Sequence, residues 1–578
     1  MRTELRFLLA IGLMLLVLVG TNLLFPPVPQ EPAGVAAPDS AGMVGGGREV
    51  PFGVPDTAGA PARPESIAGG RDTAAPGAPP VRAGIPPEAA APGRSVVVEG
   101  PLFRYTFSTV GARLTSAELP GFRSLRPPDG PVELIPDGTS ALGQRLMVAG
   151  DTLDLRGVPF DVEPEDGITL REGGEAGTLR FRFRYTLPTA DLTVELTYTF
   201  HPDAYLVEAA GRITGLDRPL VVTELGEGLA FNEADSTAEA GMMGFVGNHL
   251  QEGIDATPLR NVEARTVRDG PFLWVAFKSK HFVMALLAGP EFSEGGDDYL
   301  GGLIAEPVDG PSRARVSVTQ PVGADGTFDY DVFAGPQEYA RLSALGEDLE
   351  EVNPYGWRFL RPVVRPIVGV IMFCLNFLHN TLGIGYGWVL ILFGILMRVL
   401  LWPLYMKSMR AQMKNMRVQP LLKEIQTKYK DNPERLQKEM MKLYKEHGFN
   451  PLAGCLPMLL PWPVLVALFF VFQNTIELRG VEFLWLPDLS AHDPLYILPV
   501  FLALSMFLLQ FISYRSMGQD NQQMKMMMWI MPFFFGFIFM RFASGLNLYY
   551  ATANLATIPQ QVIVAKERRK VKAQGPVT

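Results

Sequence analysis

Five apolar runs, at about residues 383–404, 454–476, 495–513, 526–542 and 545–565, constrain this chain more than any other feature. Each approaches the ~20 residues that a helix needs to cross a hydrocarbon core about 30 Å thick. Lipid offers backbone groups no water, so runs of this kind are satisfied as helices. The expectation is a polytopic α-helical membrane bundle over 383–565.

A sixth apolar run, residues 7–25, follows Arg2 and Arg6 and exits into Pro26-Pro27. A small-x-small cleavage site is missing there, so the run reads as an uncleaved signal anchor within 1–25 and not as a cleaved signal peptide. The loop 405–450 carries 11 Lys+Arg against 5 Asp+Glu, whereas 477–494 carries one Arg against four acids. Basic loops stay on the cytoplasmic side. With the anchor, this gives six spans with both termini in the cytoplasm, and the basic tail 566–578 agrees.

The net charge of −9 conceals a split: residues 26–350 hold 47 acids against 25 bases, and the remainder holds 13 against 26. The acidic part is expected outside the membrane. Residues 26–94 contain 15 Pro, 15 Ala and 12 Gly, a composition too poor in apolar surface to offset chain entropy, and read as a disordered linker. Over 95–350 the pattern becomes period-two alternation, as in 103–107, 179–185, 192–200 and 313–319, with frequent Gly, Pro and Asp turns. That pattern predicts a large all-β sandwich. His201, His249, His281 and the pair Asp297-Asp298 are too dispersed to suggest a reaction centre. Cys374 and Cys455, the only two cysteines, lie in apolar surroundings without CxxC or His-paired spacing, so no metal site, cofactor or disulfide framework is expected.

Residues 351–382 place Arg358, Arg361 and Arg365 on one helical face, interrupted by Pro362 and Pro366, before an apolar stretch 366–378 of only 13 residues. This is short for a span and predicts an interfacial amphipathic helix. Within the spans, polar residues carry the information, because lipid penalises them. Arg398 is the only charge in 385–404 and lies nine residues before Lys407, roughly 13 Å into the bilayer at 1.5 Å per residue. It either snorkels to the cytoplasmic interface or sits in a wet cavity. Asn547, Tyr550, Asn554, Thr557 and Gln561, at spacings 3, 4, 3, 4, share one face of the last span. Such a face lines a groove or hydrogen-bonds the bundle together.

The loop 405–450 reads as a helical hairpin, Lys407–Lys430 and Glu434–His447 around Asp431-Asn432-Pro433, with Leu436, Met440 and Leu443 in register. In and just before its first limb, Met406, Met409, Met413 and Met416 lie among Lys407, Arg410, Lys414 and Arg417. Flexible thioethers beside cations suit varied hydrophobic and acidic segments, while packing against the membrane domain explains the same stripe.

Three stretches carry a family resemblance: Arg398-Val-Leu-Leu-Trp-Pro403-Leu404, Asn450-Pro-Leu-Ala-Gly-Cys-Leu-Pro457, and Phe542-Ala-Ser-Gly-Leu-Asn-Leu-Tyr549-Tyr550 followed by Gln560-Gln561. In this order they make the chain similar to the YidC-type membrane protein insertases of Gram-negative bacteria. The resemblance implies a five-helix core around a hydrophilic groove open to cytoplasm and lipid, with Arg398 as its cation and Tyr550 touching the entering substrate. It also implies a periplasmic β-supersandwich similar to sugar-mutarotase folds. Expected partners are nascent membrane proteins, the ribosome, the Sec translocon and the bilayer of the inner membrane, without direct nucleic-acid recognition. The chain departs from the pattern at Gly394, where some relatives have a substrate-contacting Thr, and at Ala543, usually Pro. No nucleotide-binding motif is present, so the expected role is non-enzymatic insertion. A secondary transporter is the main rival, but the spans show no internal repeat. A membrane-anchored periplasmic enzyme would leave the Met-rich hairpin unexplained.

Overall fold

The structure, a computed structural model, describes residues 93–148, 151–186, 191–289, 299–310, 312–353, 360–430, 432–446, 462–517 and 522–573. The side chains of 407–420 and of a few other helical positions fall outside that set. The anchor 1–25 and most of the linker 26–94 also lie outside it, as do Cys455 and the Asn450–Pro457 signature.

Alternation produces the expected all-β fold. Gly177–Thr186 and Asp191–Phe200 are adjacent antiparallel strands, and every second residue of each turns inward. They belong to a nine-stranded sheet that continues through Leu206–Thr214, Thr327–Pro336, Phe282–Ala288 and Phe272–Lys278. A five-stranded and a six-stranded sheet complete the sandwich. Among the described strands, pairing is antiparallel except where Ser95–Glu99 meets Ile168–Thr169. The inward residues form one core, in which Phe107 stacks among Phe181, Tyr198 and Phe200 at centroid distances of 5.2–6.1 Å. Two buried polar tips find backbone acceptors: Tyr105 donates to the Ala334 carbonyl at 3.0 Å and Trp274 to that of Glu347 at 2.8 Å.

The helices, in chain order, are α1 (Ser236–Met242), α2 (Tyr339–Leu345), α3 (Arg361–Leu382), α4 (Tyr386–Lys428), α5 (Pro433–Glu446), α6 (Trp462–Asn474), α7 (Ile497–Met517), α8 (Gln522–Phe539) and α9 (Ser544–Ala573). Among the described residues, Arg361–Leu382, Tyr386–Pro403 and Ile497–Arg515 are long and apolar enough to cross a membrane, and Pro463–Asn474 and Met528–Phe539 are shorter apolar helices. The polar face of α9 keeps it below that threshold.

Two expectations change. The helix over 351–382 extends beyond its 13-residue apolar stretch: α3 runs 22 residues, through Pro366. Its cations do not form a free stripe, because Arg365 pairs with Asp348 at 2.6 Å, Glu350 at 2.9 Å and Glu351 at 3.1 Å, and Arg361 donates to the Ile254 carbonyl at 3.1 Å. These bonds tie α3 to the end of the β-sandwich. The first hairpin limb is likewise not a separate helix. No break falls between the apolar run and Lys407, so α4 passes through Pro403 into the basic segment.

Residues Leu421–Gly448 fall in a separate compact unit. There Asn432 accepts the Arg435 N–H at 3.0 Å and Pro433 opens α5, a standard helix start. Leu436, Met440 and Leu443 form its buried stripe.

Candidate functional site

The site is built where α4 meets α9. Gly394 lies at this approach: a Cβ there would lie 3.4 Å from both the Tyr549 carbonyl oxygen and Thr552 Cγ2, in ordinary contact with α9. One turn later Arg398 is half-buried, and its charge reaches the hydroxyls of Tyr405, Tyr549 and Tyr550. No ion pair among the described residues includes Arg398. An Arg without a carboxylate partner inside an apolar bundle is a strong local source of positive potential.

Aromatic packing holds the α9 end of the site. Tyr549 is buried against Phe393 of α4 and Phe472 of α6, at 5.8 and 5.6 Å between centroids. Tyr550 meets Phe539 edge-on at 5.4 Å, and Phe539 and Phe542 meet at 5.2 Å.

The polar stripe on α9 is largely engaged with neighbouring groups. Asn547 is fully buried and donates to the Phe539 carbonyl at 3.0 Å. Asn554 donates to Ser505 Oγ of α7 at 3.1 Å, and Gln561 donates to the Tyr405 hydroxyl of α4 at 2.6 Å. Thr557 returns its hydroxyl to the Ala553 carbonyl of its own helix at 2.6 Å. The face therefore joins α9 to α4 and α7. Asn547 Oδ1 and Gln560 Nε2 are buried polar atoms without a hydrogen-bond partner among the described residues.

Sequence reasoning missed Ser505 and Tyr405. Ser505 was visible as a hydroxyl interrupting an apolar run, but its partner was not. Of the recruitment residues Lys407, Met409, Arg410, Met413, Lys414, Met416 and Arg417, the backbone lies in α4 and the side chains lie outside the described set. Two of the β-sandwich histidines behave as structural groups: His201 faces Glu208 at 3.2 Å, and His249 Nδ1 accepts the N–H groups of Gln251 and Glu252. Asp297-Asp298 lies outside the described residues.

Residues 95–369 match the YidC periplasmic domain, and residues 377–572 match the 60Kd inner membrane protein family. A membrane protein insertase YidC from Chlorobium phaeovibrioides is 33% identical over 82% of this chain and 83% of its own length. One from Syntrophus aciditrophicus is 30% identical over 88% of this chain and 91% of its own. A crystal structure of an active YidC insertase with its first transmembrane domain resolved is 19% identical, with a TM-score of 0.31, over 82% of this chain and 93% of that one. The chain belongs to the YidC family of membrane protein insertases, inner-membrane proteins with a large β-rich periplasmic domain that deliver nascent membrane proteins into the lipid bilayer.

Proposed function

We propose that insertion by this chain uses the α4–α9 site as a hydrophilic groove open to the cytoplasm, with Arg398, Asn547, Tyr550, Asn554, Thr557 and Gln561 meeting the entering polypeptide. The observation that carries this reading is Arg398, half-buried beside two tyrosines of α9 and without a carboxylate partner among the described residues. Such a charge attracts an acidic, unfolded tail of the substrate, and its hydrophobic segment then partitions sideways into lipid. The step requires no covalent chemistry: the membrane potential assists at about 2.3 kcal/mol per charge per 100 mV.

In this reading the chain crosses the membrane six times with both termini cytoplasmic. It comprises an anchor at 1–25, a linker at 26–94, a periplasmic sandwich at 95–350, an interfacial helix at 351–382, an insertase core at 383–565 and a tail at 566–578. The basic, Met-rich hairpin at 405–450, through Lys407, Met409, Arg410, Met413, Lys414, Met416 and Arg417, recruits substrates emerging from the ribosome. The Sec translocon is the partner for substrates with large translocated domains.

Site-specific crosslinking from Tyr550 during translation of a small single-spanning protein in membrane vesicles tests the groove. A crosslink to the nascent transmembrane segment that disappears on completed insertion is the expected result; its absence removes the groove. The bonds Asn554–Ser505 and Gln561–Tyr405 favour a second role for the same stripe, holding α9 to α7 and α4. In that case Asn554→Ala lowers the stability of the bundle without changing the crosslink pattern.

A further inference from the structure

The loop between α6 and α7 presents an apolar tip that its own construction holds outward. Phe483 and Leu486 exchange both backbone hydrogen bonds at 2.9 Å, closing a two-residue hairpin with Leu484 and Trp485 at its apex. Leu484 has φ +56°, at the position where such turns take glycine, and its side chain is 73% exposed. Tyr496 repeats the pattern with φ +56° and an exposed ring, next to the exposed Leu495. Strained backbone that directs apolar groups into the open persists only where the surroundings dictate it.

Those surroundings are specific. Phe483 is buried against Gly387 at the start of α4, and the exposed Trp388 meets its ring edge-on at 5.3 Å. Trp485 donates its indole N–H to the buried Asp493 carboxylate at 3.2 Å, and the same carboxylate accepts the N–H groups of Leu495 and Leu498 to open α7. On its other side the loop is bonded to the sandwich, with Lys280 donating to the Ser490 carbonyl at 2.7 Å. Trp388, Leu484, Trp485, Leu495 and Tyr496 thus form an exposed apolar and aromatic set at one end of α4 and α7, continuous with the apolar faces of these two span-length helices.

We infer that this set is a membrane-interface anchor: the Leu484–Trp485 apex and the Leu495–Tyr496 edge insert into the headgroup and acyl boundary of the periplasmic leaflet. Aromatic groups with one apolar face and one satisfied polar edge are suited to that boundary. The anchor sets the depth at which the sandwich stands over the bilayer. The inference rests on α4 and α7 crossing the membrane, as proposed above.

The test uses the full-length chain with Cys374 and Cys455 replaced by serine, reconstituted into vesicles of phosphatidylethanolamine and phosphatidylglycerol. An environment-sensitive fluorophore is placed at Leu484→Cys, and in a parallel sample at Leu504→Cys, an exposed position within α7. The expected result at 484 is strong quenching by a nitroxide near the top of the lipid acyl chain and several-fold weaker quenching by aqueous iodide. Iodide quenching without lipid quenching at 484 overturns the anchor, as does protection from both quenchers, which would place a protein partner or a second copy over the tip. Lipid quenching at 504 alone leaves the span intact and rejects the anchor. Loss of lipid quenching at both positions rejects the span and the anchor together.

Discussion

Arg479 Nε lies 2.7 Å from Glu233 Oε1 across 246 residues of sequence, and both side chains are almost entirely excluded from solvent. The same guanidinium donates to the carbonyls of Arg123 and Asn232 and lies over the Phe282 ring. Behind the pair, burial and the nearby Glu233 carboxylate push Glu239 up to about 7, while its oxygens accept the N–H groups of Asn232 and Glu233. One planar cation therefore joins the α6–α7 loop to the β-sandwich.

Arg479→Ala is expected to destabilise the protein by about 3 kcal/mol, because it leaves Glu233 buried without its counter-charge. Arg479→Lys restores only part of the loss, since an ammonium cannot reproduce the forked geometry. Urea unfolding in mild micelles, followed by tryptophan fluorescence, measures both; a loss below about 1 kcal/mol for the alanine variant would remove the joint from the stability argument.

Asp331 faces Glu208 directly across two paired strands. Burial, then the Glu208 and Asp329 carboxylates, push Asp331 up to about 7. In the unfolded chain this group ionises near 4. Between about pH 4 and pH 7 the unfolded state has released the proton and the folded state retains it, so stability falls as pH rises through that window and levels off above it. Asp331→Asn is expected to flatten this slope and to gain about 1 kcal/mol at pH 8 by removing a like-charge pair. Unfolding midpoints between pH 5 and pH 8 test it, and parallel slopes for the two proteins contradict the assignment.

Arg398→Ala is expected to slow insertion of substrates with acidic translocated tails more than that of neutral-tailed ones, and Arg398→Lys to retain most of the activity, because the proposed role is charge. Matched substrates differing only in tail charge, scored by protease protection in vesicles, provide the measurement. Equal loss for both substrate classes would argue against electrostatic attraction.

A Cβ on Gly387 would lie 2.1 Å from the Phe483 ring. Gly387→Ala should therefore displace the hairpin at a cost of about 1–3 kcal/mol, typical of overpacking. Hydrogen exchange at the Phe483 and Leu486 amides, which bond each other's carbonyls, should accelerate; unchanged protection would show that the ring moves aside freely.

Much of the architecture is legible in the sequence. Alternation in Leu192–Phe200 places Leu192, Val194, Leu196, Tyr198 and Phe200 inside, and all five are core residues. The spacing of Leu436, Met440 and Leu443 marked the buried stripe of α5. The length of α3 was less legible, because counting apolar residues stopped at Arg365, whose charge is taken up by Asp348, Glu350 and Glu351. A charge paired off its own helix does not end that helix.

The candidate site was half legible. Arg398 stood out as a lone cation, and the spacing of the α9 stripe marked one polar face, because lipid makes every polar residue conspicuous. Whether that face is wet or bonded depends on Ser505 and Tyr405, which lie 49 and 156 residues away from their partners.

By itself, then, the sequence determined which residues avoid water and with what period, and hence the strands, the helices and the division between an acidic sandwich and a basic membrane half. Tertiary structure alone decided what each buried polar group meets: Arg479 with Glu233, Lys280 with the Ser490 carbonyl, Asn554 with Ser505. The physical reason is range. Hydrophobic periodicity is a local consequence of backbone geometry, whereas a hydrogen bond requires two particular atoms within about 3 Å, and the packing of whole elements sets that distance.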